Sequence, residues 1–265
     1  MTSPAVIARP LAEAHRARRQ VEAEGWTAPA TLAEAYEVQA ITGQLLGLSP
    51  AGWKAGSTND AAQRRRGLAE PVYGRLFHEL LFSAGAAVPA DLFIEPHLEV
   101  EFVFRMGRGL DPGLGPFSRA DVLAAIDGVA LGVEIADGRV RDWRGCGGPA
   151  CVADNVGHGA AVIGDILAPS LADDLADRET ALEVDGTSAA RGGGGAVLGD
   201  PVRALVWLAN ALARSGHALA AGQWVFSGTT SGIVPLGDGV EVTARGAGMP
   251  PLHFTIERKA AGSRP

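Results

Sequence analysis

His97-Leu98-Glu99-Val100-Glu101-Phe102-Val103-Phe104 alternates strictly between apolar and other residues until its last pair, and this alternation marks a β-strand. Side chains at i and i+2 share a face of a pleated strand, so Leu98, Val100, Phe102 and Phe104 point one way while His97, Glu99 and Glu101 point the other. Two neighbouring carboxylates on one face repel. Such a pair persists where the face is solvated or where a cation lies between them. A second stretch, Val129-Ala130-Leu131-Gly132-Val133-Glu134-Ile135-Ala136, sets Glu134 among apolar residues and glycine, the pattern of a strand buried on both faces. A buried carboxylate without a partner is costly. Glu134 therefore either meets Glu99 and Glu101 around a hard divalent cation, or forms a salt bridge with a nearby arginine such as Arg139 or Arg141. Three carboxylates plus waters suit magnesium, manganese or calcium rather than zinc.

The 265 residues suffice for one large domain, or for a small element and a main domain. With 36 glycines, 16 prolines and 6% aromatics, the chain is built for turns and close backbone approach rather than long helices, which favours a β-rich body. The formal charge of −7 argues against a general nucleic-acid or anionic-membrane binder. On that view Arg64-Arg65-Arg66 is a solvated surface segment. Cys146 and Cys151 have no second pair with which to build a zinc site, so free thiols are expected. The N-terminus lacks the apolar centre of a secretory signal, and Glu13, Glu22 and Glu24 count against a mitochondrial presequence. No apolar run reaches the ~20 residues of a membrane span. A cytoplasmic protein is expected.

Residues 7 to 24 read as a helix stopped at Gly25. Thr31 and Glu34 fit a capping box for a second helix to about Leu46, with Tyr36, Val38, Ile41 and Leu45 on its buried side. Gly52 to Thr58 reads as a short strand entering a glycine turn; its Lys54 is either a surface charge on an apolar stem or a cation aimed into a pocket. Ser118 and Asp121 predict a helix through Ile126, and residues 84 to 96 a loop and hairpin. His158, in the glycine-bearing loop Asp154 to Gly159, reads as an ordinary loop histidine unless the scaffold aims it at a site. Residues 182 to 198 resemble a hairpin of Leu182-Glu183-Val184 and Ala196-Val197-Leu198, with Gly192 to Gly195 between; without a following Gly-Lys-Ser/Thr they are no phosphate loop. Asp200 as cap and Pro201 as first residue open the clearest helix, closed by Gly216.

Five segments occur in a telling order: Gly52-Trp53-Lys54-Ala55-Gly56, the Glu99-x-Glu101 strand, Val133 to Arg139, Ala153-Asp154-Asn155, and Gly195 to Pro201. Together, over about residues 32 to 256, they resemble the 2-oxo-acid hydratase/decarboxylase branch of the fumarylacetoacetate hydrolase-like family, the branch of 2-oxopent-4-enoate hydratases and 4-oxalocrotonate decarboxylases. The resemblance implies an α+β fold, a mixed β-roll with helical N-terminal segments, divided into a helical segment over residues 1–60 and a β-rich catalytic domain over 61–265. It implies Mg2+ or Mn2+ held by Glu99, Glu101 and Glu134. It also implies Lys54 as a catalytic group lining the substrate site, and Gly56, Ser57, Tyr73, Asp137 and Thr229 are the expected substrate-binding residues. His158 is a second candidate catalytic group by departure from the family, whose members carry small residues and serines where this chain has Val156-Gly157-His158; an acid–base role for it would revive the hydratase or hydrolase reading.

The implied activity is that of a lyase on a small unsaturated 2-oxo acid in aromatic catabolism, working as a homo-oligomer. Hydratases of this kind carry an acid in a Pro-Asp-Phe-Gly-like pattern, where this chain has Pro71-Val72-Tyr73-Gly74. Valine moves no proton. The departure favours decarboxylation of a 2-oxo-hex-3-enedioate-like diacid, with hydration of a 2-hydroxypenta-2,4-dienoate-like substrate or carbon–carbon hydrolysis of an acylpyruvate as alternatives. A non-catalytic metal-binding relative is the alternative of another class.

Overall fold

The computed structural model describes residues 3–22 and 25–257. Helix α1 (Pro4–Ala17) starts behind Ser3 with proline in its first turn, and ends at Arg18, which takes the left-handed conformation. It stops short of the expected extent because Val21 leaves to pair with Val140, its N–H donating to the Arg139 carbonyl. The last expected helical residues, 23 and 24, lie outside the described residues.

Helix α2 (Leu32–Leu46) begins as expected, with Thr31 Oγ1 accepting from the Glu34 N–H and the Glu34 carboxylate accepting from the Ala30 N–H. Its buried face is Ala35, Val38, Gln39 and Gly43, whereas Leu45 is 39% exposed. Small residues face inward because α2 packs closely against α1 and the later helix 148–153. Gln39 satisfies that contact by donating to the Tyr73 and Val152 carbonyls.

From there the chain runs through β1 (Pro50–Gly56), α3 (Asp60–Arg66), β2 (Val72–Phe77), β3 (Leu81–Ser83) and β4 (Ala87–Pro89). Next come β5 (His97–Met106), α4 (Arg119–Leu123), β6 (Ile126–Ala136), α5 (Gly148–Ala153) and β7 (His158–Ile163). Strands β8 (Glu179–Val184) and β9 (Thr187–Gly193) precede α6 (Pro201–Arg214), and β10 (Trp224–Thr229), β11 (Val234–Pro235), β12 (Glu241–Gly246) and β13 (Leu252–Glu257) complete the described chain. Helix α4 has its capping box but ends before Ile126, which instead opens β6 opposite Met106. Strand β4 pairs in parallel with the distant β13, so residues 84 to 96 form no local hairpin.

The expected hairpin at 182–198 turns elsewhere. Strands β8 and β9 are joined at Asp185-Gly186, both at positive φ, the backbone of a tight primed turn. Gly192 and Gly194 are needed instead for close approach, because a Cβ at either would run into the backbone of Thr230 or Leu175.

The large sheet is ordered β2-β1-β10-β5-β6-β7-β3, with β11 also on β5; the second is ordered β4-β13-β12-β8-β9. Both are mixed, with parallel pairs at β1·β10, β3·β7 and β13·β4. One face of β5 (Leu98, Val100, Phe102, Phe104) joins Val242, Phe254 and Ile256 of the second sheet and Leu205, Leu208 and Leu212 of α6 in the main core. A separate cluster ties α1, α2 and α5 to Val72, Trp143 and Val156. Among the described residues one helical stretch, 194–214, is long and apolar enough to cross a membrane by composition, and half of it is buried inside the protein.

Candidate metal centre and active site

The register of β5 and β6 pairs Glu99 with Glu134 and Glu101 with Gly132. Glu99 and Glu101 sit two apart, so all three carboxylates emerge on one face, the face opposite Leu98 and Val100. Their oxygens lie within 4.8 Å of one another, and all three side chains are buried. Glu101 Oε2 accepts from the Gly228 N–H at 2.7 Å. Among the described residues no donor reaches Glu134 Oε2. An all-oxygen, buried, incompletely satisfied donor set of this kind fits a hard divalent cation.

Strand β1 brings Lys54 to the same place. Its Nζ lies 2.5 Å from Glu134 Oε1 and 3.1 Å from the Val156 carbonyl. That carbonyl is aimed by a run of positive φ at Asn155, Val156 and Gly157. A β-branched residue rarely holds such a conformation, and here the surroundings enforce it. Asn155 bonds both the N–H and the carbonyl of Arg75 on β2, and the Gly157 carbonyl accepts from the Asp137 N–H. His158, first in β7, reaches Glu134 Oε1 through Nδ1 at 2.8 Å.

Burial and charge then split the three acids. Burial raises every carboxyl here, but Lys54 and His158 act on Glu134 and hold it at about 2. Glu99 has the same burial plus the Glu134 charge beside it, and rises to about 8. Glu101 is raised well above its ordinary range for the same reasons. Burial alone would lower Lys54; the three carboxylates outweigh it and keep the ammonium charged. His158 is lowered, chiefly by burial, so a neutral ring donates from Nδ1. Neither Arg139 nor Arg141 partners Glu134: Arg139 pairs with Asp137 and Arg141 with Glu22.

A cavity of about 200 Å³ opens onto these groups, reached by Lys54, the three glutamates and Thr229. The fumarylacetoacetate (FAA) hydrolase C-terminal family model matches residues 54–257. The chain belongs to this family. It is 33% identical over 226 residues to a 2-keto-4-pentenoate hydratase of Paraburkholderia xenovorans strain LB400, covering 83% of each chain. It is 29% identical over 209 residues to a 4-oxalocrotonate decarboxylase of a Pseudomonas species, covering 79% of each. Among solved structures, the 4-oxalocrotonate decarboxylase of Pseudomonas putida G7, complexed with magnesium and adipate, superposes with a TM-score of 0.86 at 26% identity, over 96% of this chain and 97% of that one. These relatives are enzymes, and the mixed sheets behind N-terminal helices are the family's fold.

Of the site residues expected from the sequence, Lys54, Gly56, Ser57, Thr229 and the three glutamates line the cavity. Tyr73, Asp137 and His158 do not. Lys54 pairs across the ladder with Gly74 and Tyr73 with Ala55, so Tyr73 faces the other side of the sheet, stacked on Tyr36 with its hydroxyl on Ser215. Asp137 also falls on the far side; its carboxylate accepts from the Ile94 and Glu95 N–H groups and pairs with Arg139. His158 stands behind Glu134. The sequence reading missed Arg65, Arg66 and Arg144, which line the cavity. Arg64 is exposed and pairs weakly with Asp60, as a solvated run predicts, but Arg66 is drawn in by the Trp143 and Cys146 carbonyls. Nothing in the spacing of the run distinguishes these two cases.

Proposed function

We propose that the protein is a divalent-metal-dependent lyase acting on a small unsaturated 2-oxo acid, and that its reaction is decarboxylation of a 2-oxo-hex-3-enedioate-like diacid. The observation that carries this reading is the convergence of Glu99, Glu101 and Glu134 with Lys54 on one cavity. A magnesium or manganese ion held by the three carboxylates supplies a Lewis acid for the carboxylate and keto oxygens of the substrate. Lys54 is held charged and fixed by Glu134 and Val156, so it sets a positive charge where negative charge grows as the distal carbon–carbon bond breaks. The same ammonium is placed to return a proton to the product. His158 acts through Glu134, holding its carboxylate in place rather than touching substrate.

Loss of carbon dioxide needs no activated water. Among the described residues, no histidine and no carboxylate besides the three glutamates lines the cavity, and Val72 is buried and apolar where hydratases of this branch carry an acid. The solved decarboxylase of similar fold was bound to adipate, a diacid. Hydration is the second reading, favoured by the 33% identity to a 2-keto-4-pentenoate hydratase. The test is turnover of a 2-oxo-hex-3-enedioate with magnesium, followed by ultraviolet absorbance and by carbon dioxide release. Decarboxylation releases one carbon dioxide per substrate consumed and stops with chelator. Water addition to a 2-hydroxydienoate with no carbon dioxide from the diacid would instead establish the hydratase. We further propose a cytoplasmic homo-oligomer, whose mass light scattering reads directly.

A further inference from the structure

The cavity has a cationic rim as well as an acidic floor. Arg65 and Arg66, from the last turn of α3, and Arg144, from the connection after β6, all line it. Basic residues at a helix C-terminus are ordinary, since they offset the helix dipole. Arg64 is such a case, exposed and spaced for an i,i+4 pair with Asp60. Its two neighbours differ in that both line the cavity, Arg65 exposed at its rim and Arg66 half-buried, and no carboxylate of the described residues forms a salt bridge with them. Arg66 donates to the carbonyls of Trp143 and Cys146, and so fastens α3 to the segment that carries Arg144. Arg144 itself only approaches His97, at 3.4 Å. In a chain of net charge −7, three guanidinium groups are thus gathered on one rim, and among the described residues none of them forms a salt bridge with a carboxylate.

We infer that Arg65, Arg66 and Arg144 bind a second, distal carboxylate of the substrate, so that the site selects 2-oxo diacids over 2-oxo monoacids of the same length. The inference rests on the 2-oxo-acid chemistry proposed above. The chelating end of the substrate goes to the glutamate floor, and the far carboxylate meets guanidinium groups whose fork geometry matches it. During decarboxylation that far carboxylate becomes neutral carbon dioxide. Its attraction to the arginines therefore weakens toward the transition state, and the rim contributes to substrate affinity rather than to the chemical step.

The test compares two saturated acids that share a chelating end and differ only at the far end, 2-oxoadipate and 2-oxohexanoate. Calorimetry on the magnesium-loaded protein reads both affinities. Wild-type protein is expected to bind 2-oxoadipate at least about tenfold tighter. Arg65→Gln and Arg144→Gln, separately and combined, are expected to reduce that ratio toward one while shifting 2-oxohexanoate affinity by less than about twofold. With the reactive diacid, the same variants raise KM more than they lower kcat. Arg66→Gln also releases the Trp143 segment, so the other two positions carry the test, with thermal unfolding as the check on folding. Equal affinity for the two acids in the wild type, or an unchanged ratio in the combined variant, overturns the arginine assignment and leaves the lyase reading standing. Failure of both acids to bind overturns the lyase reading, and the assignment with it.

Discussion

Three buried carboxylates share one small space without sharing one state of ionisation. Glu134 is held charged by Lys54 and His158, whereas Glu99 and Glu101 take up protons far more readily. Glu134→Ala removes a proposed metal ligand and also strands Lys54 without its ion pair. We expect metal affinity to fall by about a hundredfold or more, and activity to disappear. Titration calorimetry with manganese checks this; an unchanged isotherm would take Glu134 out of the site.

Asp154 gives a different test at the residue scale. Burial raises its pKa from 3.8 to about 7, although it accepts from the Arg139 and Val140 N–H groups. The folded protein thus binds this proton more tightly than the unfolded chain. The contribution to stability is greatest below about pH 4, is lost as pH rises toward 7, and is level above that. Asp154→Asn keeps an oxygen for both N–H groups and has no proton to lose. Urea midpoints at pH 5 and pH 8 should therefore differ less in the variant than in the wild type.

At the scale of elements, the segments that matter are legible where one local rule governs them. Asp200 and Pro201 announce α6, and Asp200 Oδ1 does accept from the Val202 N–H at 2.8 Å. Asp200→Ala is expected to cost about 1 kcal/mol, measurable as a lower urea midpoint. The alternation of β5 is read correctly because its two faces meet different surroundings: the main core on one side and the acid cluster on the other. The β8–β9 turn was misplaced because four glycines outweighed Asp185-Gly186, yet two of them, Gly192 and Gly194, serve packing against Thr230 and Leu175. Glycine frees a turn and admits a close neighbour alike, and the sequence does not say which. The buried face of α2 escaped for a related reason, since small residues rather than large ones mark a tight helix contact.

At the scale of the molecule, the floor of the cavity joins stretches far apart in sequence. Lys54 comes from β1, two acids from β5, one from β6 and a backbone donor from β10, all strands of one sheet. A cation bound there stabilises only the folded form. Magnesium at about a hundred times its Kd is expected to add ~2.7 kcal/mol, or roughly 5–10 °C in Tm. Glu99 must give up its proton to bind, and in the metal-free fold it does so at about pH 8. The gain in Tm should therefore be larger at pH 8.5 than at pH 6. Differential scanning calorimetry with and without chelator reads both effects.

By itself the sequence determined the strand that carries Glu99 and Glu101, the burial of Glu134, the caps of α2, α4 and α6, and the likeness to the family. Each follows from periodicity, from a capping pair, or from the cost of burying a charge. Only the tertiary structure decided that Lys54 and His158 both reach Glu134, that Tyr73 and Asp137 face away from the cavity, and that Arg65 and Arg66 of three consecutive arginines line it. Those outcomes depend on the register of paired strands and on which distant carbonyl meets which donor. Such pairings are fixed by contacts across the whole chain, and no stretch of residues contains them.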